Sequence, residues 1–341
     1  MNRGRWARLC LSTLLGVAFL WLLFRWSKLE PQALWESWKR LSPVVALEAF
    51  AVHVAIYFVR SQRFRVLLPL QHRPSGAAML AVSAAHNLAA YVLPAKTGEV
   101  TLVMYLRAAA GVPATDGLAA LLVSRLLDLA TLSFALALAT LQLVLFREPA
   151  LPGAYLGLSA LLLGGAALLM LLSARSDVLV VAAAWGAKRL GAARANLGLK
   201  LLARAEDLAL ALRRAPAGRV LWVATGQSLL MWFLIFLFYG ILARGFGLPE
   251  ELGLSGAAFG SGLAVLSNLL PINSFAGFGT QEGGWLVGFG LLGVQRDLAL
   301  STGLGVHLAQ LASTVFLGLL GHVAMGWFRT QGRAPDPGAV G

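Results

Sequence analysis

The chain has 341 residues, of which 58% are hydrophobic and 13% are charged, and its formal net charge is +13. Soluble domains carry about a quarter charged residues, so this composition excludes an ordinary soluble domain and predicts an all-α polytopic membrane protein. Lysine and arginine collect between the apolar runs, where they suit loops that face the cytosol and anionic headgroups, so the charge does not indicate a nucleic-acid partner. The single cysteine, Cys10, excludes an internal disulfide and a cysteine-based metal site.

Apolar runs of spanning length occur along the whole chain. We predict about six full transmembrane helices, at residues 9–24, 44–59, 114–146, 151–172, 220–242 and 298–327. The arginines that follow the second run, at positions 60, 63, 65 and 73, are predicted to lie in a cytosolic loop. Both termini are predicted to be cytosolic, in an integral protein of the bacterial inner (plasma) membrane.

The predicted organisation is a single integral membrane domain over residues 1–330, with a disordered cytosolic tail at 329–341. Its first half covers about residues 1–174 and its second half covers residues 220–328. The polar segment between them, residues 175–219, has leucines at spacings of four and seven among many basic residues. This pattern predicts a cytosolic amphipathic connector that lies on the lipid headgroups; a plain connector without function is the alternative.

A short polar break separates the apolar runs at residues 77–92 and 100–110. The break contains Pro94 and Gly98, which end helices, and the opposite charges Lys96 and Glu99. The second run is too short to cross a bilayer, so we predict a re-entrant hairpin with Lys96 and Glu99 near its tip. The alternative is a water-exposed turn with a surface ion pair.

A second break, at residues 271–282, lies between the short apolar runs at 253–270 and 284–292. It contains Gly277 and Gly279, which are predicted to permit tight turns, and one charged residue, Glu282. Asn87 and Asn268, each shortly before a break, are predicted to hydrogen-bond the broken backbone in a structural role. The sequence therefore predicts a second re-entrant hairpin.

The two breaks are related by a nearly constant offset. A shift of 181 residues brings Asn87 onto Asn268 and Gly98 onto Gly279, and a shift of 182 brings Arg125 onto His307. The predicted topology has the first hairpin opening from the cytosol and the second from outside. This arrangement is an inverted repeat, which in transporters surrounds one binding site near the middle of the membrane.

These residues resemble the lysylphosphatidylglycerol synthase transmembrane-region family, also called the flippase-like domain family, over about residues 8–328. Residues 94–99 match its Pro-small-basic-x-Gly-acidic turn, and residues 125–128 match its Arg-x-x-Asp helix signature. Residues 275–282 match its glycine-rich signature in part, with Phe275 and Gln281 where the family usually has Pro and Arg. The resemblance implies a phospholipid flippase domain. The soluble aminoacyl-transferase domain to which this domain is fused in the best-understood members has no counterpart in this sequence.

The function predicted from these features is translocation of an anionic phospholipid or a lipid-linked (polyprenyl or glyco) intermediate between leaflets. Lys96, Arg125 and Glu282 are predicted to contact the headgroup, and Glu99 and Asp128 to orient or neutralise the cations. The alternatives for Glu282 are a pairing with Arg125 or a role as a proton carrier. The alternative is an accessory subunit for a lipid synthase or glycosyltransferase. We find no catalytic motif, no metal-ligand spacing and no nucleotide-binding signature, and therefore expect neither an enzyme nor a cofactor.

Overall fold

The computed structural model describes residues 35, 38–39, 41–93, 97–147, 152–189, 203, 205–212, 218–269 and 275–331, and every regular element in these ranges is helical. The helices are α1 (Pro43–Leu67), α2 (Gly76–Val92), α3 (Thr101–Ala110), α4 (Ala114–Arg147), α5 (Pro152–Ala174), α6 (Ser176–Arg189), α7 (Arg219–Gly245), α8 (Gly253–Leu269), α9 (Thr280–Leu291) and α10 (Arg296–Gln331). Of these, α1, α4, α5, α7 and α10 are long and apolar enough to cross a membrane. The predicted all-α polytopic membrane protein is thus confirmed, while the predicted span at 9–24 lies outside the described residues.

Local signals in the sequence explain where several helices begin and end. The side chain of Ser42 accepts a hydrogen bond from the amide of Val44, with Pro43 at the first helical position of α1. Ser75 caps α2 in the same way by accepting from the amide of Ala78. Helix α3 ends at Gly111, whose φ of 66° lies in the left-handed region that glycine adopts readily.

The predicted cytosolic loop after the second apolar run is wrong at its start. Helix α1 continues to Leu67, so Arg60 and Arg63 are helical, and Arg63 is 1% exposed. No proline or glycine interrupts the chain before Pro69, and the buried residues Ile56, Arg63 and Leu67 recur at spacings of seven and four along one face. The two arginines therefore belong to the interior of the membrane domain.

Two other predicted segments are described only in part. In the amphipathic connector, residues 176–189, 203, 205–212 and 219 are helical, residues 175 and 218 are turns, and the rest lies outside the described residues. Of the predicted disordered tail, residues 329–331 are the last turn of α10, which corrects that boundary. The remaining tail residues lie outside the described ranges.

The two halves repeat one order of elements. A long helix is followed by a short helix, a 3-10 turn, a second short helix and a second long helix. The helix lengths in the first half, α1 to α4, are 25, 17, 10 and 34 residues. Those in the second half, α7 to α10, are 27, 17, 12 and 36 residues. We refer to α2 with α3 as hairpin 1 and to α8 with α9 as hairpin 2.

The two hairpins pack against opposite ends of the same long helices. Hairpin 2 contacts the second part of α4, around Leu136, and the first part of α10, around Gly303. Hairpin 1 contacts the first part of α4, around Gly117, and the last part of α10, around Gly321. The tips of the hairpins consequently face each other near the middle of the long helices, and this places the candidate site.

Glycines allow the two helices of hairpin 2, α8 and α9, to pack closely against each other. A Cβ added at Gly284 would lie 2.6 Å from the Cα of Ala264, and one added at Gly288 would overlap the carbonyl oxygen of Gly260. Gly284 and Gly288 are four residues apart and so lie on one face of α9, where they let the backbones of α8 and α9 approach closely.

We predict that Gly288→Ala lowers the free energy of unfolding by about 1–3 kcal/mol, because its Cβ meets backbone atoms that cannot rotate away. Gly290→Ala, on the same helix with no atom within 4 Å of its Cβ, is the matched control and should be neutral or slightly stabilising. Thermal unfolding of both variants in one detergent measures the difference. Equal midpoints would contradict this account of the packing.

Candidate functional site

A cluster of charged side chains lies where hairpin 1 meets α1 and α4. Arg125 donates from Nε (3.0 Å) and Nη2 (2.5 Å) to Oε2 of Glu99, and from Nη1 to Oδ2 of Asp128 at 3.0 Å. The side chain of Arg125 is 38% exposed and that of Glu99 is 25% exposed. Arg125 is thus oriented by two carboxylates and still has surface on which another group can bind.

Asp128 is shared with a second arginine, which the sequence analysis had placed in a loop. Arg63 forms a salt bridge with Asp128 and donates further to Ser228 at 2.9 Å and to Ser124 at 2.8 Å. Arg63 and Asp128 are both buried, so this pair holds α1, α4 and α7 together.

Arg60 is the third cation of the cluster. It donates from Nη1 to Oδ1 of Asn87, and Nδ2 of Asn87 donates to the hydroxyl of Tyr57 at 2.6 Å. The prediction that Asn87 hydrogen-bonds the broken backbone is therefore wrong: its side-chain amide bonds two side chains of α1. Among the described residues no carboxylate lies within salt-bridge distance of Arg60.

A cavity of about 190 Å³ lies between the tips of the two hairpins. Its polar lining comes from both halves of the described chain: His53, Arg60, Asn87, Tyr91, Glu99 and Arg125 from the first, and Tyr239, Gln310 and the backbone of Ala276 and Gly277 from the second. Apolar residues complete the wall, among them Ile56, Trp232, Ile235, Phe238 and Val265. Such a mixed lining fits a ligand with a charged part and an apolar part.

A chain of polar side chains joins the two tips on one side of the cavity. The hydroxyl of Tyr91 on α2 lies 3.4 Å from Oε1 of Gln281, and Nε2 of Gln281 donates to Oε1 of Gln310 at 3.0 Å. The hydroxyl of Tyr239 donates to the same oxygen of Gln310 at 3.1 Å. Residues 190 positions apart in the chain, Tyr91 and Gln281, thus meet at one site.

Glu282 does not have the place that the sequence predicted for it. Its carboxylate is fully buried: Oε1 lies 2.5 Å from Nδ1 of His307, and Oε2 accepts from the amide of Gly279 at 2.6 Å. The predicted headgroup contact, and a pairing of Glu282 with Arg125, are therefore corrected. As the third residue of α9, Glu282 reaches back to the residue before the helix and holds the turn of hairpin 2.

The turns of both hairpins are built in the same way. The hydroxyl of Thr101, the first residue of α3, donates to the carbonyl of Gly98 at 2.6 Å, and that of Thr280, the first of α9, donates to the carbonyl of Gly277 at 3.0 Å. In each half the acidic residue of the turn contacts a basic residue of the following long helix: Glu99 contacts Arg125, and Glu282 contacts His307. The halves therefore share a local design.

The predicted turn glycines occupy positions that a side chain would not fit. An added Cβ on Gly98 would lie 2.5 Å from the Cα of Ala90, so the turn returns directly onto α2. Gly277 and Gly279 have φ values of 78° and 84°, in the region that glycine adopts readily, and Ala276 before them has a φ of 50°. Pro94 and Lys96 and the side chain of Asn268 lie outside the described residues, and their predicted roles stay predictions.

Two residues of the cluster, Arg60 and Arg63, were not predicted from the sequence as site residues. The signal was present, because both continue the helical spacing of buried α1 residues, and no helix-breaking residue separates them from the apolar run. Hydropathy places the end of the span at Arg60, whereas α1 continues to Leu67, two residues before Pro69. Within the described residues no group of three or more His, Cys, Asp or Glu side chains is placed to hold a metal ion.

We predict that Asp128→Asn destabilises the protein by about 3–5 kcal/mol, because it leaves the buried guanidinium of Arg63 without its carboxylate. Arg63→Met should cost less, since Asp128 keeps Arg125 as a partner. Thermal or denaturant unfolding of the two variants in the same detergent gives the order. A larger loss for Arg63→Met would show that Asp128 is not the centre of the cluster.

Comparison with known proteins gives one match. The family model of the lysylphosphatidylglycerol synthase TM region matches residues 8–318, a range that includes both hairpins and the charged cluster. Curated proteins and solved structures gave no match. Because the family model covers most of the chain, the chain belongs to the lysylphosphatidylglycerol synthase TM region family, a family of membrane domains of the flippase-like type.

Proposed function

We propose that this protein translocates an anionic phospholipid or a lipid-linked (polyprenyl or glyco) intermediate between the leaflets of the plasma membrane, without catalysing a reaction of its own. The observation that supports this proposal best is the cavity between the hairpin tips, which presents two arginines in the interior of a membrane domain. Charged groups inside a membrane are costly and commonly mark the path of a substrate.

The charges around the cavity favour an anion. The described cluster contains three arginines, at positions 60, 63 and 125, and two carboxylates, Glu99 and Asp128, so positive charge is in excess. Arg125 and Arg63 are paired, whereas Arg60 is held only by the neutral amide of Asn87 among its described contacts. A phosphate at Arg60 and the exposed part of Arg125 would supply the missing counter-charge through charge-assisted hydrogen bonds.

The apolar part of the wall suits the remainder of a lipid. Trp232, Phe238 and Val265 line the same cavity as the arginines. A headgroup can therefore be bound between the tips while its hydrocarbon chains stay in an apolar environment. Such an arrangement lowers the barrier that opposes flipping, which arises mainly from moving a charged headgroup through hydrocarbon.

The repeated halves suggest how access to the cavity alternates. The hairpins pack on opposite ends of α4 and α10, and each contributes one wall of the cavity. Rocking of one half against the other would expose the headgroup site first to one side and then to the other, as in transporters with inverted repeats. Glu99 and Asp128 would keep Arg125 oriented during this movement.

Reconstitution into vesicles tests the proposal directly. Purified protein in vesicles with fluorescently labelled phosphatidylglycerol should make the inner-leaflet label accessible to a membrane-impermeant quencher, faster than in protein-free vesicles. Labelled phosphatidylcholine, which has no net charge, should move more slowly than phosphatidylglycerol. Equal rates with and without protein, for anionic and neutral headgroups alike, would reject translocation.

We predict that Arg60→Gln slows movement of the anionic lipid about tenfold to a hundredfold, because a hydrogen bond to a charged group contributes about 1.5–3 kcal/mol. Arg60→Lys should recover part of the rate, since it restores the charge without the planar guanidinium. Arg244→Gln is the matched control: Arg244 is exposed at the end of α7 and is not among the residues that line this cavity. Equal losses in Arg60→Gln and Arg244→Gln would contradict a specific role for Arg60.

A further inference from the structure

The buried acid–base pair of hairpin 2 has no part in the headgroup contacts proposed above. Glu282 and His307 are both fully buried. Nδ1 of His307 lies 2.5 Å from Oε1 of Glu282, and its Nε2 lies 2.9 Å from the carbonyl oxygen of Ala276. The other carboxylate oxygen of Glu282 accepts from the amide of Gly279 at 2.6 Å. Every polar atom of the pair is thus engaged inside the protein.

These contacts determine how many protons the pair holds. A carbonyl oxygen only accepts hydrogen bonds, so Nε2 of His307 must carry a hydrogen. The 2.5 Å contact between Nδ1 and Oε1 requires one further hydrogen, because two facing lone pairs would repel each other. Glu282 and His307 therefore share one proton more than a carboxylate with a neutral imidazole would hold, and the net charge of the pair is zero.

Loss of the shared proton would leave a buried negative charge. Neither residue of the pair lines the cavity, so the proton can pass from the Nδ1–Oε1 contact to water only when the turn of hairpin 2 opens, while the hydrogen on Nε2 stays in its bond to Ala276. A carboxylate next to a bare imidazole nitrogen, without access to water, is strongly unfavourable. The turn of hairpin 2 would have to open to water or move toward a cation when the proton leaves.

Two residues connect the pair to the cavity. Ala276 lines the cavity and accepts the hydrogen bond from His307, and the ring of Tyr91, also in the lining, lies 6.0 Å from the ring of His307. The other ionisable groups that face this region are Tyr239 on α7 and, across the cavity, His53, Arg60, Arg125 and Glu99. Nδ1 of His53 lies 2.6 Å from the hydroxyl of Ser313. Helix α8 has no ionisable side chain, and Glu282 is the only one in α9.

We propose that Glu282 and His307 form a proton-binding site that couples translocation to the transmembrane proton gradient, with the proton and the anionic headgroup bound together and released together. The inference rests on the proposed function. A negative charge on the pair would weaken binding of an anion in the cavity, on the order of tenfold for unit charges about 10 Å apart in a medium of effective dielectric constant about 20. By linkage, a bound anion strengthens proton binding by the same factor.

The first half provides an internal contrast. Its equivalent pair, Glu99 with Arg125, contains a guanidinium that stays protonated at any physiological pH. The equivalent place in the second half holds His307, whose imidazole can both gain and lose a proton. Hairpin 1 also contains an imidazole, His86, whose Nε2 lies 4.0 Å from Oε2 of Glu99, but Glu99 is paired with the guanidinium of Arg125. We therefore assign the anion to the first half and the proton to the second.

Glu282→Gln is the decisive variant, because it keeps the shape and removes the exchangeable proton. The amide oxygen of Gln still accepts from Gly279, its NH₂ group donates to Nδ1 of a neutral imidazole, and the bond from Nε2 to Ala276 is retained. His322→Gln is the matched control, since His322 is on the same helix, contacts the carbonyl of Gly318 and is not in the cavity lining.

Hydrogen exchange of residues 275–283 in lipid nanodiscs tests the proton site without any transport. The exchange rate of the wild type is divided by that of Glu282→Gln at each pH, which cancels the chemical pH dependence of exchange. We expect this ratio to rise about tenfold or more with increasing pH, because the wild type has a shared proton to lose, after which hairpin 2 opens, and Glu282→Gln has none. His322→Gln should behave as the wild type does. A ratio that does not change with pH overturns the proton site.

A second measurement tests coupling in the vesicle assay. With an imposed pH difference, the wild type should accumulate labelled phosphatidylglycerol in one leaflet, and Glu282→Gln should equilibrate it without a preference. Accumulation by both proteins, or by neither while both translocate, overturns coupling and leaves translocation standing. Absence of any translocation by the wild type rejects the proposed function and with it the coupling, whereas the exchange experiment still decides whether the pair binds a proton.

Discussion

The structure depends on the pairing of charged side chains whose burial in the membrane interior would otherwise be strongly unfavourable. Asp128 receives Arg63 from α1 and Arg125 from its own helix, and Arg125 continues to Glu99 in the turn of hairpin 1. These bonds connect the long helices α1 and α4 to the turn of hairpin 1 at one point. Pairing offsets the cost of burying each ion, but the cluster retains one more cation than it has carboxylates among the described residues. That remaining charge, at Arg60, is what makes the cavity suitable for an anion.

The same local design occurs twice with different chemistry. In each half the short returning helix begins with a threonine bonded to a glycine carbonyl, and an acidic residue of the turn contacts a basic residue on the next long helix. In the first half the basic residue is Arg125, which is partly exposed to the cavity; in the second it is His307, which is fully buried. A repeated fold has thus come to hold two different kinds of ionic site that face each other, and this asymmetry gives the proposed transport cycle its direction.

Local sequence signals determined most of the architecture. Apolar runs predicted the long helices α4, α5, α7 and α10, because hydrophobic length is the main requirement for crossing a bilayer. The breaks were also visible in the sequence, since Gly98, Gly277 and Gly279 adopt turns or close approaches that other residues would not tolerate. The pair of Arg125 with Asp128 followed from a spacing of three on one helix face. Each of these features depends on residues that are near one another in the chain.

Only the tertiary structure decided which charges meet. Arg63 reaches Asp128 across 65 positions, and Tyr91 reaches Gln281 across 190, so neither contact leaves a local trace. Arg60 and Arg63 looked like a cytosolic loop because hydropathy counts the charge of a residue and not its partner. In the folded protein Arg63 is paired with Asp128, and Arg60 is hydrogen-bonded to the amide of Asn87. Glu282 looked like a ligand contact because its partner, His307, comes from a helix 25 positions later. The sequence by itself determined the helices and their breaks; the packing of the two halves against each other determined the cavity, because a site shared between distant segments exists only once they are folded together.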